Sequence, residues 1–365
     1  MYNNINGSDQ MKYAVNGNSI LIILLVTFIS SVILVPIVKK IAEHVGAIDY
    51  PNERKVHKKP MPRLGGLAIF ISFLIGYIFF AEPTIQMNSI LIGGFIIILL
   101  GIFDDIKPIS AKYKFIVQLI ASAIVVYYGN IYISELSAFG LNISFGAISQ
   151  PITIIFITAI MNAINLIDGL DGLAAGTSSI YFLTIAIIAY FLNRLNGLDV
   201  TLCLIMLGAT LGFLVYNFNP ASIFMGDTGS TFLGFMIAVI SLLGFKAATV
   251  TSLIVPLLIL FLPIIDTILA IFRRLLKGGN IGAPDKEHIH HQLLKLNKST
   301  KKTVLIMYAI DALCAAISVF YALGDNHQAI ILYIILLVVL ITLILKTDIL
   351  FIHDKKDKVK KWVKI

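Results

Sequence analysis

Apolar stretches of about 17 or more residues without a single charge recur along the whole chain, and a bilayer-spanning helix needs about 20 such residues. No other feature restricts the fold as much. The chain has 365 residues, of which 58% are hydrophobic and 13% charged, and its mean hydropathy is +0.92. An ordinary soluble domain is roughly 45–50% apolar and about 25% charged. These values predict an all-α polytopic membrane protein forming one integral domain over residues 1–365. Eleven spans are expected, at 19–38, 64–82, 88–103, 112–128, 149–165, 172–192, 198–217, 229–245, 248–276, 302–323 and 327–346. The first 18 residues are polar and no A-x-A pattern flanks the first apolar run, which therefore reads as a retained span.

An odd number of spans puts the two termini on opposite sides. Of the 28 Lys and Arg residues, all but Lys12, Arg194 and Lys246 fall on one side. The positive-inside rule then places the N-terminus outside and the C-terminus in the cytoplasm. A cytoplasmic loop at 277–301 and a basic tail at 347–365 follow from the same map. The net charge of +8 thus reports topology and a lipid bilayer, not a nucleic-acid partner. The ninth span is about 29 residues, or about 43 Å as a straight helix, against a hydrocarbon core of about 30 Å. Pro256 and Pro263 lie inside it, so a break or bend is expected. The outside loop 129–148 alternates apolar and polar residues around Gly140, the pattern of a short β-hairpin. Cys203 and Cys314 sit in apolar segments and suggest neither a disulfide nor a metal site.

The same map gathers the unusual polar residues on the cytoplasmic side. GIFDDIKP (101–108) ends a span with Asp104 and Asp105 side by side. Helix-end punctuation would explain one aspartate, but two adjacent carboxylates repel unless a cation or a shared proton intervenes. NAINLIDGLDG (162–172) places Asn162 and Asn165 on one helical face, then Asp168 and Asp171 among glycines. A glycine-capped turn accounts for the glycines; four amides and carboxylates in ten residues suit a polar ligand and a metal. FMGDTGS (224–230) offers Asp227 or Thr228 as a helix N-cap. It also offers free N–H groups to a phosphate, with a divalent ion between phosphate and aspartate, and Phe224 could stack on a flat base.

HIHHQ (288–292) lacks a nearby cysteine and the spacing of a usual zinc motif. Together with Arg273, Arg274, Lys277 and Lys286 it reads as an anion- and sugar-binding loop. RKVHKKPMPRLGG (54–66) adds five basic side chains and His57; topology explains most of them, and one or two could reach a diphosphate. Carboxylates, amides, a helix N-terminus and basic loops at one membrane face suit phosphoryl transfer between a nucleotide diphosphate and a lipid phosphate.

Taken in order, GIFDDIKP, NAINLIDGLDG, YNFNPASIFMGDTGS, LPIIDTILAIFRR and KEHIHHQL resemble the polyprenyl-phosphate N-acetylhexosamine-1-phosphate transferases over nearly the whole chain. The set is specific, although no single motif is. The resemblance implies that a UDP-sugar and a polyprenyl phosphate give a sugar-diphospho-polyprenol and UMP. It implies Asp227 as principal Mg²⁺ ligand with Asn165 as a second, Mn²⁺ being an alternative ion. Asp104 and Asp105 correspond to the catalytic pair, one of them accepting the proton of the lipid phosphate. Asp168, Asp171, Asn217, Phe224 and Lys59 match positions holding the uridine nucleotide. His288, His290, His291 and Arg274 match the loop facing sugar and diphosphate.

The phospho-N-acetylmuramoyl-pentapeptide branch usually carries three consecutive histidines and then an acidic residue, whereas this chain reads His288-Ile289-His290-His291-Gln292. That is the pattern of the N-acetylglucosamine branch. It implies UDP-N-acetylglucosamine as donor and undecaprenyl phosphate as acceptor in a bacterial cell membrane, starting a polymer of teichoic-acid or O-antigen type. A homodimer is compatible with the sequence. An intramembrane prenyltransferase would need a second Asp-x-x-x-Asp cluster, which the spacing of Asp168 and Asp171 does not supply. A transporter would put its polar residues at mid-membrane; the main acidic residues within spans are Asp266 and Asp311, and Asp266, seven residues before Arg273, is expected near the cytoplasmic end.

Overall fold

The computed structural model describes residues 14–51, 57, 59–138, 141–192, 195–247, 254–276, 288–324 and 326–346. Gly140, residues 277–287 of the expected loop with Lys277 and Lys286, and the tail 347–365 lie outside the described residues. Thirteen helices are described. They are α1 Ile20–Val45, α2 Gly66–Phe80, α3 Ile85–Ile106, α4 Ala111–Ala123, α5 Ser149–Ile167, α6 Leu173–Phe191, α7 Leu198–Asn217 and α8 Gly226–Ala247, then α9 Ile254–Ile259, α10 Phe261–Leu276, α11 Ile289–Asn297, α12 Thr300–Leu323 and α13 Asn326–Lys346. A π-helical turn, Ile124–Tyr128, continues α4. Helix covers most of the described part of each of the eleven expected segments, the ninth being described from residue 254 onward. Eight of the described helical runs are long and apolar enough to cross a bilayer.

The long ninth segment is broken as its prolines predicted. Pro263 has no N–H to offer the carbonyl four residues back, at Ile259, and α9 ends at that residue. Small two-stranded sheets punctuate the bundle. β1 (Ala14–Val15) pairs with β2 (Asn18–Ser19), and β3 (Ile48–Asp49) pairs antiparallel with β4 (Met61–Pro62). β5 (Glu135–Ala138) and β6 (Leu141–Ser144) form the hairpin that the 129–148 alternation predicted, with Ala138 opposite Leu141.

The central helix is α8, which touches α2, α3, α5, α6 and α7. Within its apolar stretch 83% of residues are buried, against 22% for α1 at the periphery. Lipid tails are as apolar as leucine, so helices in a bilayer associate through close packing rather than hydrophobic transfer. Small residues permit that approach here. A Cβ on Gly208 of α7 would lie 2.0 Å from Thr27 Oγ1 and 2.7 Å from the Leu24 carbonyl of α1, and one on Gly212 2.5 Å from the Phe28 carbonyl. Several hydroxyls inside the bundle bond to their own helix: Thr27 donates to the Ile23 carbonyl at 2.8 Å and Ser72 to that of Ala68 at 2.8 Å.

Replacing Gly208 by Val should therefore force α1 away from α7. Overpacking of this kind costs on the order of 1–3 kcal/mol. The expected outcome is a lower thermal unfolding midpoint of the purified protein in detergent; an unchanged midpoint would contradict this packing.

Candidate active site

Two helix ends meet at the centre of the site. α3 terminates with Asp104 and Asp105, and α8 begins at Gly226 with N–H groups that have no partner inside their own helix. Asp105, only 1% exposed, supplies those partners. Its Oδ1 accepts the Asp227 N–H at 3.0 Å, and its Oδ2 accepts the Thr228 N–H at 3.0 Å and the Thr228 hydroxyl at 2.6 Å. The carboxylate also lies at the positive end of the α8 dipole. Glycines make the approach feasible. Gly226 has φ +73°, and a Cβ there would stand 2.3 Å from Asp105 Oδ2. A Cβ on Gly101 of α3 would stand 2.3 Å from the Thr228 Cα, and one on Gly66 of α2 would stand 2.0 Å from the Gly229 nitrogen.

The two aspartates thus face different partners, as neighbours about 100° apart around a helix must. Asp104 Oδ1 accepts the Ile109 N–H at 2.7 Å, while its Oδ2 meets Lys114 Nζ at 3.2 Å. The same ammonium donates to Asp227 Oδ2 at 2.7 Å. Arg63 closes the back of the cluster. Its Nε and Nη2 donate to the carbonyls of Asp105 and Asp104, both at 3.1 Å, at the negative end of α3. Among the described residues, Asp104, Asp105 and Asp227 form the one group that could hold a metal ion, with ligand oxygens within 4.8 Å of one another. The donors are hard oxygens, and the three carboxylates outnumber the two cations beside them, Lys114 and Arg63, which suits a small divalent cation. Asp105 accepts three N–H and O–H donors, whereas Asp104 accepts one N–H besides Lys114 and Asp227 meets Lys114 through one oxygen, so Asp227 and Asp104 keep more lone pairs to give. Asn165 stands beside them, donating to Ser230 Oγ at 2.8 Å.

A cavity of about 470 Å³ opens next to this cluster, lined by Asp105, Asn165, Asp168, Asp171, Asn217, Phe224, Asp227 and His291 among others. One wall is backbone paired with backbone. The Phe224 N–H donates to the Pro62 carbonyl at 2.8 Å, and the Gly65 and Gly66 N–H groups donate to the carbonyls of Phe224 and Met225 at 3.0 and 2.9 Å. The Phe224 ring is met edge-on by His57 at 5.1 Å, and His57 Nε2 stands 2.9 Å from Asp49 Oδ2. Opposite, Asp171 Oδ2 accepts from Asn219 Nδ2 at 2.8 Å and from the Ala221 N–H at 3.1 Å. Asn217 ties the two loops together, accepting the Gly172 N–H at 3.1 Å and donating to the Ile223 carbonyl at 3.0 Å. Burial, then the charges of Asp227, Asp105 and Asp171, push the Asp168 carboxyl up to about 8. Burial, then His290 and His288, pull His291 down to about 4, so it faces the cavity as a neutral imidazole.

Most residues singled out from the sequence converge here, but not all line the cavity. Asn162 donates instead to Gln118 Oε1 and the Thr158 carbonyl, both at 2.8 Å. His288 and His290 are buried behind His291, Lys59 is exposed, and Arg274 is half-buried at the end of α10. Lys114, Arg63, Asp49 and Asn219 carry no individual signal in the sequence, and Thr228, a candidate N-cap there, instead donates its hydroxyl to Asp105. Topology alone accounts for Arg63 among the basic residues of its loop. Lys114 lies nine positions beyond Asp105 on the following helix, and no local spacing signals that the two helices bring it back.

Residues 87–245 match the profile of Glycosyl transferase family 4. The chain is 46% identical over 298 residues, 80% of its length and 82% of the relative, to the probable undecaprenyl-phosphate N-acetylglucosaminyl 1-phosphate transferase of Bacillus subtilis (strain 168). It is 36% identical over 323 residues, 79% and 80% of the two chains, to the decaprenyl-phosphate N-acetylglucosaminephosphotransferase of Mycobacterium tuberculosis (strain ATCC 25618 / H37Rv). Over 290 residues, 77% and 78% of the two chains, it is 30% identical to the undecaprenyl-phosphate alpha-N-acetylglucosaminyl 1-phosphate transferase of Escherichia coli (strain K12).

Two outcomes follow from this geometry. Asp105→Ala strands two buried N–H groups and a hydroxyl, at about 1–3 kcal/mol for each group left unsatisfied. It should lower the thermal midpoint even without ligand or metal, and an unchanged midpoint would refute the cap. Asp168 keeps its proton in the folded chain up to about 8, whereas the unfolded carboxyl ionises near the ordinary value of 3.8. Between those values the folded state binds more protons, so this group's contribution falls as pH rises. Asp168→Asn should therefore gain midpoint relative to wild type from pH 5 to pH 8, and a pH-independent difference would contradict the shift.

Proposed function

The chain belongs to glycosyl transferase family 4, and from that premise we propose that it moves N-acetylglucosamine 1-phosphate from UDP-N-acetylglucosamine to undecaprenyl phosphate. The products are undecaprenyl-diphospho-N-acetylglucosamine and UMP. The protein is a multi-pass membrane protein, and the lysine and arginine bias puts its site at the cytoplasmic face, where the soluble nucleotide arrives. The observation that carries the reading is the junction of the Asp104–Lys114–Asp227 cluster with a polar cavity large enough for part of a nucleotide-sugar.

The residues divide the work. Phe224, with Asp168, Asp171 and Asn217 around it, forms the nucleoside side of the cavity. Asp227, with Asn165 beside it, would hold Mg²⁺ or Mn²⁺ next to Asp104. When bound, that ion offsets the negative charge of the phosphates. A lipid-phosphate oxygen attacks the β-phosphorus, the bond to the bridging oxygen breaks, and UMP leaves with the electron pair. Asp104 is the member of the pair suited to take the proton of the lipid phosphate, since Asp105 is saturated by its helix-capping bonds. Lys114 holds Asp104 and Asp227 close together despite their like charges. The HIHHQ sequence favours the N-acetylglucosamine donor over the muramoyl-pentapeptide donor.

The test is UMP release by purified protein given polyprenyl phosphate, Mg²⁺ and either UDP-N-acetylglucosamine or UDP-N-acetylmuramoyl-pentapeptide. Turnover of the first alone is expected, and its loss in EDTA should be reversed by Mg²⁺. Asp104→Asn should reduce turnover by roughly 10²–10⁴-fold, as for a lost proton acceptor. Turnover of the second alone would move the protein to the muramoyl-pentapeptide branch, and folded protein that releases UMP from neither would overturn the assignment.

A further inference from the structure

The HIHH sequence is not presented to the cavity as one unit: His291 lines it, while His288 and His290 are 4% and 1% exposed. What holds them is Asp266 of α10, itself 1% exposed. Its Oδ1 accepts the Ile289 N–H at 2.9 Å, capping α11 from another helix. Its Oδ2 lies 3.3 Å from His288 Nδ1 and 3.6 Å from His290 Nδ1. The two rings stack 9° from parallel with centroids 5.5 Å apart. Beyond the stack, His290 presses on the turn that carries Asp168 and Asp171, since a Cβ on Gly169 would sit 2.5 Å from His290 Nε2. His291 contacts His290 with centroids 4.3 Å apart. A line of contacts thus runs from a carboxylate in α10 to two cavity walls.

We propose that Asp266 is a positioning residue for the nucleotide-sugar, acting through His288 and His290 to set His291 and the Asp168 turn at the cavity wall. This rests on the donor assignment above. A buried carboxylate facing both Nδ1 atoms at 3.3 and 3.6 Å orients the two ring planes through its charge, much as a carboxylate orients a metal-bound or catalytic histidine. A helix cap alone would need only Oδ1, and asparagine caps as well as aspartate.

That difference supplies the test. Asp266→Asn can keep the bond to Ile289 N–H while removing the charge and the second acceptor. The expected result is a KM for UDP-N-acetylglucosamine raised about tenfold, the scale on which residues that do not touch a ligand modulate its site, with the KM for polyprenyl phosphate within about twofold of wild type. Gly169→Ala pushes on the same line from its far end and should raise the same KM. Combining either change with His290→Ala should add little to His290→Ala alone, because all three break one line of contacts. An unchanged donor KM in both Asp266→Asn and Gly169→Ala, or additive effects in the double variants, would overturn the proposal while wild-type turnover leaves the assigned reaction standing. Wild-type protein that does not use UDP-N-acetylglucosamine would instead remove the reaction, and the proposal with it. If Asp266→Asn does not fold, Gly169→Ala with its His290→Ala partner decides the question.

Discussion

A buried carboxylate holds two helix ends together at the centre of this protein. Asp105 belongs to the last turn of α3, yet both of its oxygens serve the first turn of α8, the most enclosed of the spanning helices. The arrangement solves two problems with one group. The N–H groups at the start of α8 would otherwise be buried without partners, and a lone carboxylate in the bundle would otherwise lack stabilising donors. It also fixes Asp104 and Asp227, because each is attached directly to the capped junction. The distances among the acidic oxygens therefore follow from how two helices abut, not from flexible side chains finding one another.

The crowding of negative charge at that junction is balanced mainly by two cations with different tasks. Arg63 addresses backbone carbonyls and so secures the helix end itself. Lys114 addresses carboxylate oxygens on two helices and leaves the helix ends alone. A planar guanidinium is suited to two carbonyls presented side by side, and an ammonium on a flexible stem to a bridge that can yield to another cation.

Much of the architecture was legible in the sequence because the bilayer imposes it. Apolar length set the helices, the paired prolines marked the break at the end of α9, and strict alternation marked the β5–β6 hairpin. The residues of the cavity were legible for a related reason: polar groups are so scarce in such a chain that Asp168, Asp171, Asn217 and Asp227 stand out against it. The division between Asp104 and Asp105 was not legible, since their roles depend on which of two faces of α3 meets α8. Lys114 and Asp266 were missed as site members for the same reason. Each is linked to its partner only by tertiary packing, across more than a hundred residues of sequence for Lys114 with Asp227 and about twenty for Asp266 with His288. Asn162 shows the converse, a polar residue in a motif whose amide is spent on Gln118 and the Thr158 carbonyl.

The wall formed by residues 62–66 and 224–225 is made of main-chain N–H and C=O groups, with Gly65 and Gly66 allowing the two strands of chain to touch. Mutation changes side chains and leaves these atoms where they are. Only a side chain at Gly65 or Gly66 would part the two segments, so the shape of the cavity at Phe224 and Met225 is set by residues that do not themselves line it.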